Sequence, residues 1–368
     1  MSIREQYVGW RNRFIANPKV QDFLATFPLT RGFAQKPMRE IFDVTMGFVY
    51  SQILLACVEL DIFKILKDGP LSVENLATRI DMPVDGTDRL ARAAASLKLL
   101  EKMGEGRFAL GERGAALLGN PSVFEMIKHH KLFYRDLTDP VELLRARSSN
   151  THLAKFWNYS PDSNIDQHQN EMAQSYSALM AETQAFIVSE VLHAYSFSRH
   201  SHLMDVGGGN GAFLSAVGAS APDLKLTLCD LPQVVPLARE RFEAEGLSRR
   251  ANAVACDFHE GLPNVGADAV SLIRVLHDHD DHDVEALLAS IRSILPPGGS
   301  IIIAEPMAET HSGQAMGDGY FGLYLWAMGR GRPRSSNEIS ILLEKAGFRR
   351  VSQVKTRRPL LTQLMVAQ

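Results

Sequence analysis

Leu203-Met204-Asp205-Val206-Gly207-Gly208-Gly209-Asn210-Gly211 is the stretch that decides the fold. A short apolar run, Leu203–Val206, predicts a strand, and helical spacing begins at Ala212. Glycines between a strand and a helix let the backbone take positive φ and let a ligand approach it closely. Many dinucleotide enzymes share such a turn, so two further features matter. The glycines run G-x-G-x-G, with Asp205 two residues ahead of Gly207. The next predicted strand, Leu226–Cys229, ends in Asp230, 23 residues after Gly207. A carboxylate there can accept two hydrogen bonds from a ribose diol.

Working outward, Ala253–Cys256 ends in Asp257, Ala269–Leu276 in His277 and Ser300–Ala304 in Glu305. Helical segments separate these runs. Such alternation predicts an α/β domain: a parallel sheet with helices on both faces and right-handed crossovers. Ligands then lie at the carboxyl ends of the strands, where Gly207, Asp230, Asp257, His277 and Glu305 share one edge. An acid at 257 can accept from an adenine amino group, and Phe258 can stack on its face. Taken singly, Asp257 reads equally as a helix cap and Phe258 as a core aromatic.

The texture changes near Ser196–His202, which divides the chain at 195/196; before it, apolar spacing is mostly helical. Residues 71–118 read as helices and a short hairpin, with Ser72 as an N-cap, a helix over Thr87–Leu100 and a β-wing over Glu101–Leu110. That is a winged-helix pattern. Ile62–Asn120 carries nine Lys/Arg and eight Asp/Glu, too balanced to displace counterions from DNA. The first forty residues carry seven basic and three acidic side chains among Trp10, Phe14, Phe23, Phe27 and Phe33. That segment suits either peripheral contact with a membrane or greasy substrate, or packing on the chain or a twin subunit. Val44–Val58 is the most apolar window; Ser51 and Gln52 break it, so it reads as a buried helix too short to span a bilayer.

The 368 residues carry 39 basic and 42 acidic side chains, a net charge of −3, with 45% hydrophobic and 22% charged residues. Such a chain has no whole-molecule field for nucleic acid and can bury a large core. Cys57, Cys229 and Cys256 are widely spaced, which predicts neither a disulfide framework nor a cysteine metal site and suits a reducing cytoplasm. The cluster His277-Asp278-His279-Asp280-Asp281-His282-Asp283 reads as a helix start with acids near its positive end, and no metal is expected.

Asp205–Gly211, Asp230-Leu231-Pro232, Asp257-Phe258 and Arg274-Val275-Leu276-His277-Asp278 resemble the signature of S-adenosylmethionine-dependent O-methyltransferases of the plant-type small-molecule family. The resemblance spans most of the chain. It implies a Rossmann-like class I methyltransferase domain over 196–368 and an N-terminal all-α, winged-helix-like dimerisation and lid domain over 1–195. It implies S-adenosylmethionine as methyl donor, held by Asp205, Gly207, Gly209, Asp230, Leu231, Asp257, Phe258 and Arg274. It also implies a homodimer, with Phe42–Leu60 as a candidate interface helix. His277 becomes the general base, Glu305 the carboxylate that fixes its tautomer, and Asp278 a positioning acid for the loop or the cofactor amine. Two departures stand out. Plant members carry a Lys four residues before the catalytic His; Ile273 stands here, so that contact is absent or moved to Arg274. Their second flanking Glu is missing from Gly331-Arg332-Pro333-Arg334, which leaves a dyad.

Phe27–Arg31, Gly47–Gln52 and Gly317–Tyr324, running on to Arg330–Ser335, are similar to bacterial carotenoid O-methyltransferases of the hydroxyneurosporene (demethylspheroidene) type. The implied substrate is a lipophilic small molecule, an acyclic hydroxycarotenoid methylated at its C-1 tertiary hydroxyl. The implied location is cytoplasmic, with candidate peripheral contact at the inner membrane. A phenol, polyketide or tetrapyrrole acceptor remains open, the pocket around Tyr320–Met328 being decisive. So does a regulator of winged-helix type that binds S-adenosylmethionine as a ligand.

Overall fold

A computed structural model describes residues 2–146, 150–157, 184–310, 315–359 and 362–368. The chain forms two compact units, Met1–Asn120 and Pro121–Gln368. The change of texture in the sequence placed this division at 195/196. The helices Pro121–Asp136 and His152–Trp157 instead belong with the second unit, because their aromatic faces pack on Gly322–Met328.

The first unit opens with helices Ile3–Ile15, Pro18–Thr26 and Arg31–Glu59. Ser2 starts the first through a capping box with Glu5, and Pro18 sits at the favoured first position of the second. The apolar window read as a buried helix lies within Arg31–Glu59, and there the structure differs. Val44, Phe48 and Val49 are exposed, and core burial begins only at Leu55 and Cys57. The helix also runs well past the window, so Lys36–Glu59 is long and apolar enough to cross a membrane by length and composition. The side chains of Arg31 and Phe33 lie outside the described residues.

Beyond it, Ser72 Oγ accepts from the Asn75 N–H at 3.3 Å and caps helix Val73–Arg79. Helix Val84–Ser96 follows. Strands β1 (Leu71–Ser72), β2 (Leu100–Lys102) and β3 (Arg107–Leu110) form a small antiparallel sheet in the order β1-β3-β2. This is the expected helix pair and wing.

In the second unit, β4 (His202–Val206), β5 (Lys225–Asp230), β6 (Ala251–Ala255), β7 (Ala269–Ile273) and β8 (Ser300–Glu305) run parallel. β9 (Ser352–Val354) and β10 (Gln363–Ala367) complete the order β6-β5-β4-β7-β8-β10-β9, with β10 antiparallel to both neighbours. Side chains alternate across the sheet with period two. Leu203, Ile302 and Leu364 face a core built with helices Ala212–Ser220 and Val235–Ala244. Met204, Ile301, Ile303 and Met365 face a core built with Asp281–Ile294 and Ser336–Lys345. Fully burying one such side chain contributes about 1.5–3 kcal/mol.

Two local expectations are corrected. The run read as a strand to Leu276 stops at Ile273, because Arg274 takes φ 61°, a left-handed value that no strand continues through. The cysteines also pair: Cys229 and Cys256 are joined, with Cα atoms 5.8 Å apart. One β-α-β crossover separates them in sequence but leaves them at the ends of adjacent parallel strands. Cys57 is free, and burial pushes its thiol up to about 12.

Candidate active site

The glycine turn stands at the carboxyl end of β4. Gly207, Gly209 and Gly211 have φ of 70°, 58° and 78°. A Cβ on Gly207 would lie 2.9 Å from Val275 Cγ2, and one on Gly208 would lie 2.5 Å from Asp205 Oδ2. The turn is therefore fixed by conformation and by space. Gly209 and Leu231 each donate a backbone N–H to Asp230, both at 2.7 Å. Burial raises the Asp230 carboxyl despite these donors.

Asp205 is buried, accepts from Ser271 Oγ at 2.6 Å through Oδ1, and among the described residues Oδ2 has no hydrogen-bond partner. Burial pushes it up to about 7; the Ser271 hydroxyl opposes this and the nearby Asp230 charge adds to it. Asp257, after β6, accepts from the His259 N–H at 2.9 Å, and Phe258 lies edge-on to His279 with ring centres 4.8 Å apart. A glycine turn with open backbone, a carboxylate at the next strand end and a ring at the third fit a nucleoside carrying a short charged tail.

His277 sits on the 3-10 turn Leu276–Asp278 that follows Arg274. It is buried at 4% exposure and Glu305 at 0%. Glu305 Oε2 lies 3.4 Å from His277 Nδ1 and accepts the His277 backbone N–H at 3.2 Å. Asp278 Oδ1 lies 3.3 Å from Nε2. Burial alone would lower the imidazole, but Asp278 and Glu305 outweigh burial and the Arg274 charge, so it stands above the ordinary His value. Glu305 Oε1 is buried and meets no hydrogen-bond partner among the described residues. The structure thus brings His277, Glu305 and Asp278 together, flanking both imidazole nitrogens. Leu231, just after β5, is 41% exposed. The Arg274 charge acts on His277, Tyr320 and Tyr324.

The sequence reading missed what holds this loop. Arg334 is the largest fully buried side chain in the protein's described residues. Its guanidinium donates to Leu276 O at 2.7 Å, His279 O at 2.9 Å and Asp281 Oδ1 at 2.7 Å. Gly331 donates its N–H to Asp280 Oδ1 at 3.0 Å, and at φ 75° a Cβ on it would meet the His277 carbonyl. The segment that lacks the plant family's acid is therefore a clamp on the His277 loop. Positive charge in a glycine-flanked stretch, opposite the acid-rich 278–283 run, was the available signal. Asp280 and Asp281 are spent on this clamp, while His259 and His282 lie near Asp283. Among the described residues no group of three His, Cys, Asp or Glu side chains is placed to hold a metal ion.

Residues 134–349 match the O-methyltransferase domain and residues 42–120 the O-methyltransferase dimerisation domain. Two demethylspheroidene O-methyltransferases are similar along nearly the whole chain. That of Rhodobacter capsulatus is 38% identical over 98% of this chain and 90% of its own. That of Cereibacter sphaeroides is 37% identical over 96% and 93%. Human N-acetylserotonin methyltransferase, solved in complex with S-adenosylmethionine, is 25% identical with a TM-score of 0.72, covering 90% of this chain and 97% of that one. With the glycine turn, the strand-end carboxylates and the appended helical unit in place, the chain belongs to the S-adenosylmethionine-dependent O-methyltransferase family with an N-terminal dimerisation domain.

Proposed function

We propose that this enzyme methylates the C-1 tertiary hydroxyl of an acyclic hydroxycarotenoid of the hydroxyneurosporene or demethylspheroidene type, with His277 as general base. The observation that carries the substrate class is the 38% identity, over nearly the full chain, with a demethylspheroidene O-methyltransferase. When bound, S-adenosylmethionine supplies an electrophilic methyl group on a cationic sulfur. Gly207 and Gly209 admit it to the backbone, with Asp205 supporting the turn from below. Asp230 takes the ribose diol beside Leu231, while Asp257 and Phe258 take the adenine. Arg274 stands in for the missing lysine at the rim between donor and acceptor.

A tertiary alcohol is far less acidic than a phenol, so His277 cannot first make a free alkoxide. Proton loss to Nε2 runs together with attack on the methyl carbon. Glu305 at Nδ1 holds the ring in the tautomer that leaves Nε2 basic, and Asp278 stabilises the imidazolium as it forms. Positioning supplies much of the rest of the rate.

The protein acts as a homodimer through the exposed apolar face of Phe42–Leu60. Its exposed Tyr7, Trp10, Phe14, Phe23 and Phe27, set among basic residues, make peripheral contact with the membrane that holds the substrate. Removing residues 1–36 should lower turnover on vesicle-embedded substrate; equal turnover would reject that contact. The direct test supplies methyl-labelled S-adenosylmethionine and detergent-dispersed 1-hydroxyneurosporene, with a catechol, a flavonoid and a bacteriochlorophyllide in parallel. Label in the carotenoid is expected. Label only in a phenol or tetrapyrrole would sink the carotenoid assignment and leave the methyltransferase.

A further inference from the structure

Helix Pro121–Asp136 carries adjacent histidines, and each meets a tyrosine from the 315–328 segment. His130 Nε2 lies 2.8 Å from the Tyr320 hydroxyl and His129 Nε2 lies 2.5 Å from the Tyr324 hydroxyl. Tyr320 stands in the π-helical turn Ala315–Phe321, a geometry that recurs at functional sites. Tyr324 stands four residues on, in helix Gly322–Met328.

The two tyrosines are not equivalent. Tyr324 is buried, and its oxygen accepts from Trp157 Nε1–H at 2.9 Å. With Nε2 of His129 unprotonated, the Tyr324 O–H is spent on that nitrogen. Tyr320 is half-buried, and His130 is its hydroxyl's one hydrogen-bond partner among the described residues. A neutral His130 can donate from Nε2–H to the Tyr320 oxygen, which leaves the Tyr320 O–H free to donate elsewhere.

Burial holds both histidines down at about 4 and pushes both phenols up, so the array carries no charge at neutral pH. Phe321 touches both this array and the base. Phe321 packs edge-on to Tyr320 with ring centres 5.0 Å apart and edge-on to His277 at 6.4 Å. Tyr320 and Tyr324 themselves lie 5.5 Å apart.

An alcohol oxygen has one proton and two lone pairs. In the reaction proposed above, the proton goes to His277 and one lone pair attacks carbon, which leaves the second lone pair to be oriented. We propose that Tyr320, held by His130, donates its hydroxyl hydrogen to that second lone pair and so fixes the acceptor oxygen of a neutral alcohol. Tyr324, His129 and Trp157 form the scaffold behind it. In the step, an O–C bond forms, the S–C bond breaks with its electron pair passing to sulfur, and the alcohol proton passes to His277. Tyr320 keeps its own proton throughout.

This inference rests on the alcohol acceptor of the preceding reading, and its test separates the two. The affinities of 1-hydroxyneurosporene and of neurosporene, the same polyene without the hydroxyl, are measured by tryptophan quenching in detergent for wild type and Tyr320→Phe. The preference for the alcohol should fall about five- to tenfold, the worth of one neutral hydrogen bond, and kcat should fall with it. Neurosporene affinity and S-adenosylmethionine affinity should stay level. An unchanged preference, or neurosporene affinity falling in step, overturns the role of Tyr320. A wild type that neither prefers nor methylates the alcohol overturns the substrate reading, and this inference with it. Should Tyr320→Phe not fold, the double variant His130→Leu/Tyr320→Phe leaves no orphaned ring nitrogen and carries the same test.

Discussion

The two halves of the site are built in opposite ways. The half proposed to take the cofactor, Asp205 to Phe258, rests mainly on backbone: left-handed glycines, and Asp230 and Asp257 accepting amide hydrogens from Gly209, Leu231 and His259, with Asp205 alone tied by a side chain, that of Ser271, 66 residues on. The acceptor half is made of side chains drawn from distant segments. His277 meets Glu305 across 28 residues, Arg334 reaches Leu276 across 58, and His130 reaches Tyr320 across 190. Backbone sites leave a compact trace in sequence. Side-chain sites assembled through packing do not. The difference also divides function: changes in one half should move donor affinity, and changes in the other should move the chemistry.

The largest expected effect is that of His277→Ala. Loss of a general base should lower kcat about 10²–10⁴-fold while S-adenosylmethionine affinity, read by calorimetry, stays near wild type. A matching loss of donor affinity would erase the division between the halves. Next is Arg334→Met, which strips donors from the buried Leu276 carbonyl and from His279 and unpairs Asp281. It should cost about 2–4 kcal/mol in urea unfolding and lower kcat through the misplaced His277. A stable variant with wild-type kcat would show that the loop holds itself.

A pH profile sharpens the comparison further. As the proposed general base His277 would act in its neutral form, and its carboxylate neighbours hold it above the ordinary 6.5, so kcat/KM should rise with pH through a midpoint above that value. Asp278→Asn removes a raising charge and should move the midpoint down. An unmoved midpoint would mean another group controls that limb. The smallest effect belongs to the cofactor half. Gly209→Ala meets no neighbouring atom but must hold φ 58°, a strain of about 1 kcal/mol. It should weaken donor binding several-fold with kcat intact, and Gly207→Ala, which also collides with Val275, should cost more.

Much of this was legible in the chain. Asp230 and Glu305 at strand ends, and Asp257 just after one, were readable because a parallel sheet repeats one local pattern, strand, turn and helix; His277 was expected directly after a strand and lies instead on the 3-10 turn beyond Arg274. The helix pair and wing near Ser72 were readable for the same reason. The antiparallel strand Gln363–Ala367 was not read, although it covers β8 in register from Glu305↔Gln363 to Ile301↔Ala367. Nothing local distinguishes an edge addition of that kind. The pairing of Cys229 with Cys256 was missed because sequence spacing hides the neighbour relation of adjacent strands. Val44–Val58 misled because apolar content shows that a face avoids water, not what covers it.

The sequence by itself determined the class of the second unit and the carboxylates at its strand ends that are proposed to meet the donor. These are marked by glycine turns and hydrophobic periodicity, which act over a few neighbouring residues. Only the tertiary structure decided where the acceptor half draws its parts. Arg334 beneath the His277 loop, and the two histidines behind Tyr320 and Tyr324, are contacts across more than fifty residues. They exist because buried polar groups must find partners, and which partner is nearest is settled by packing.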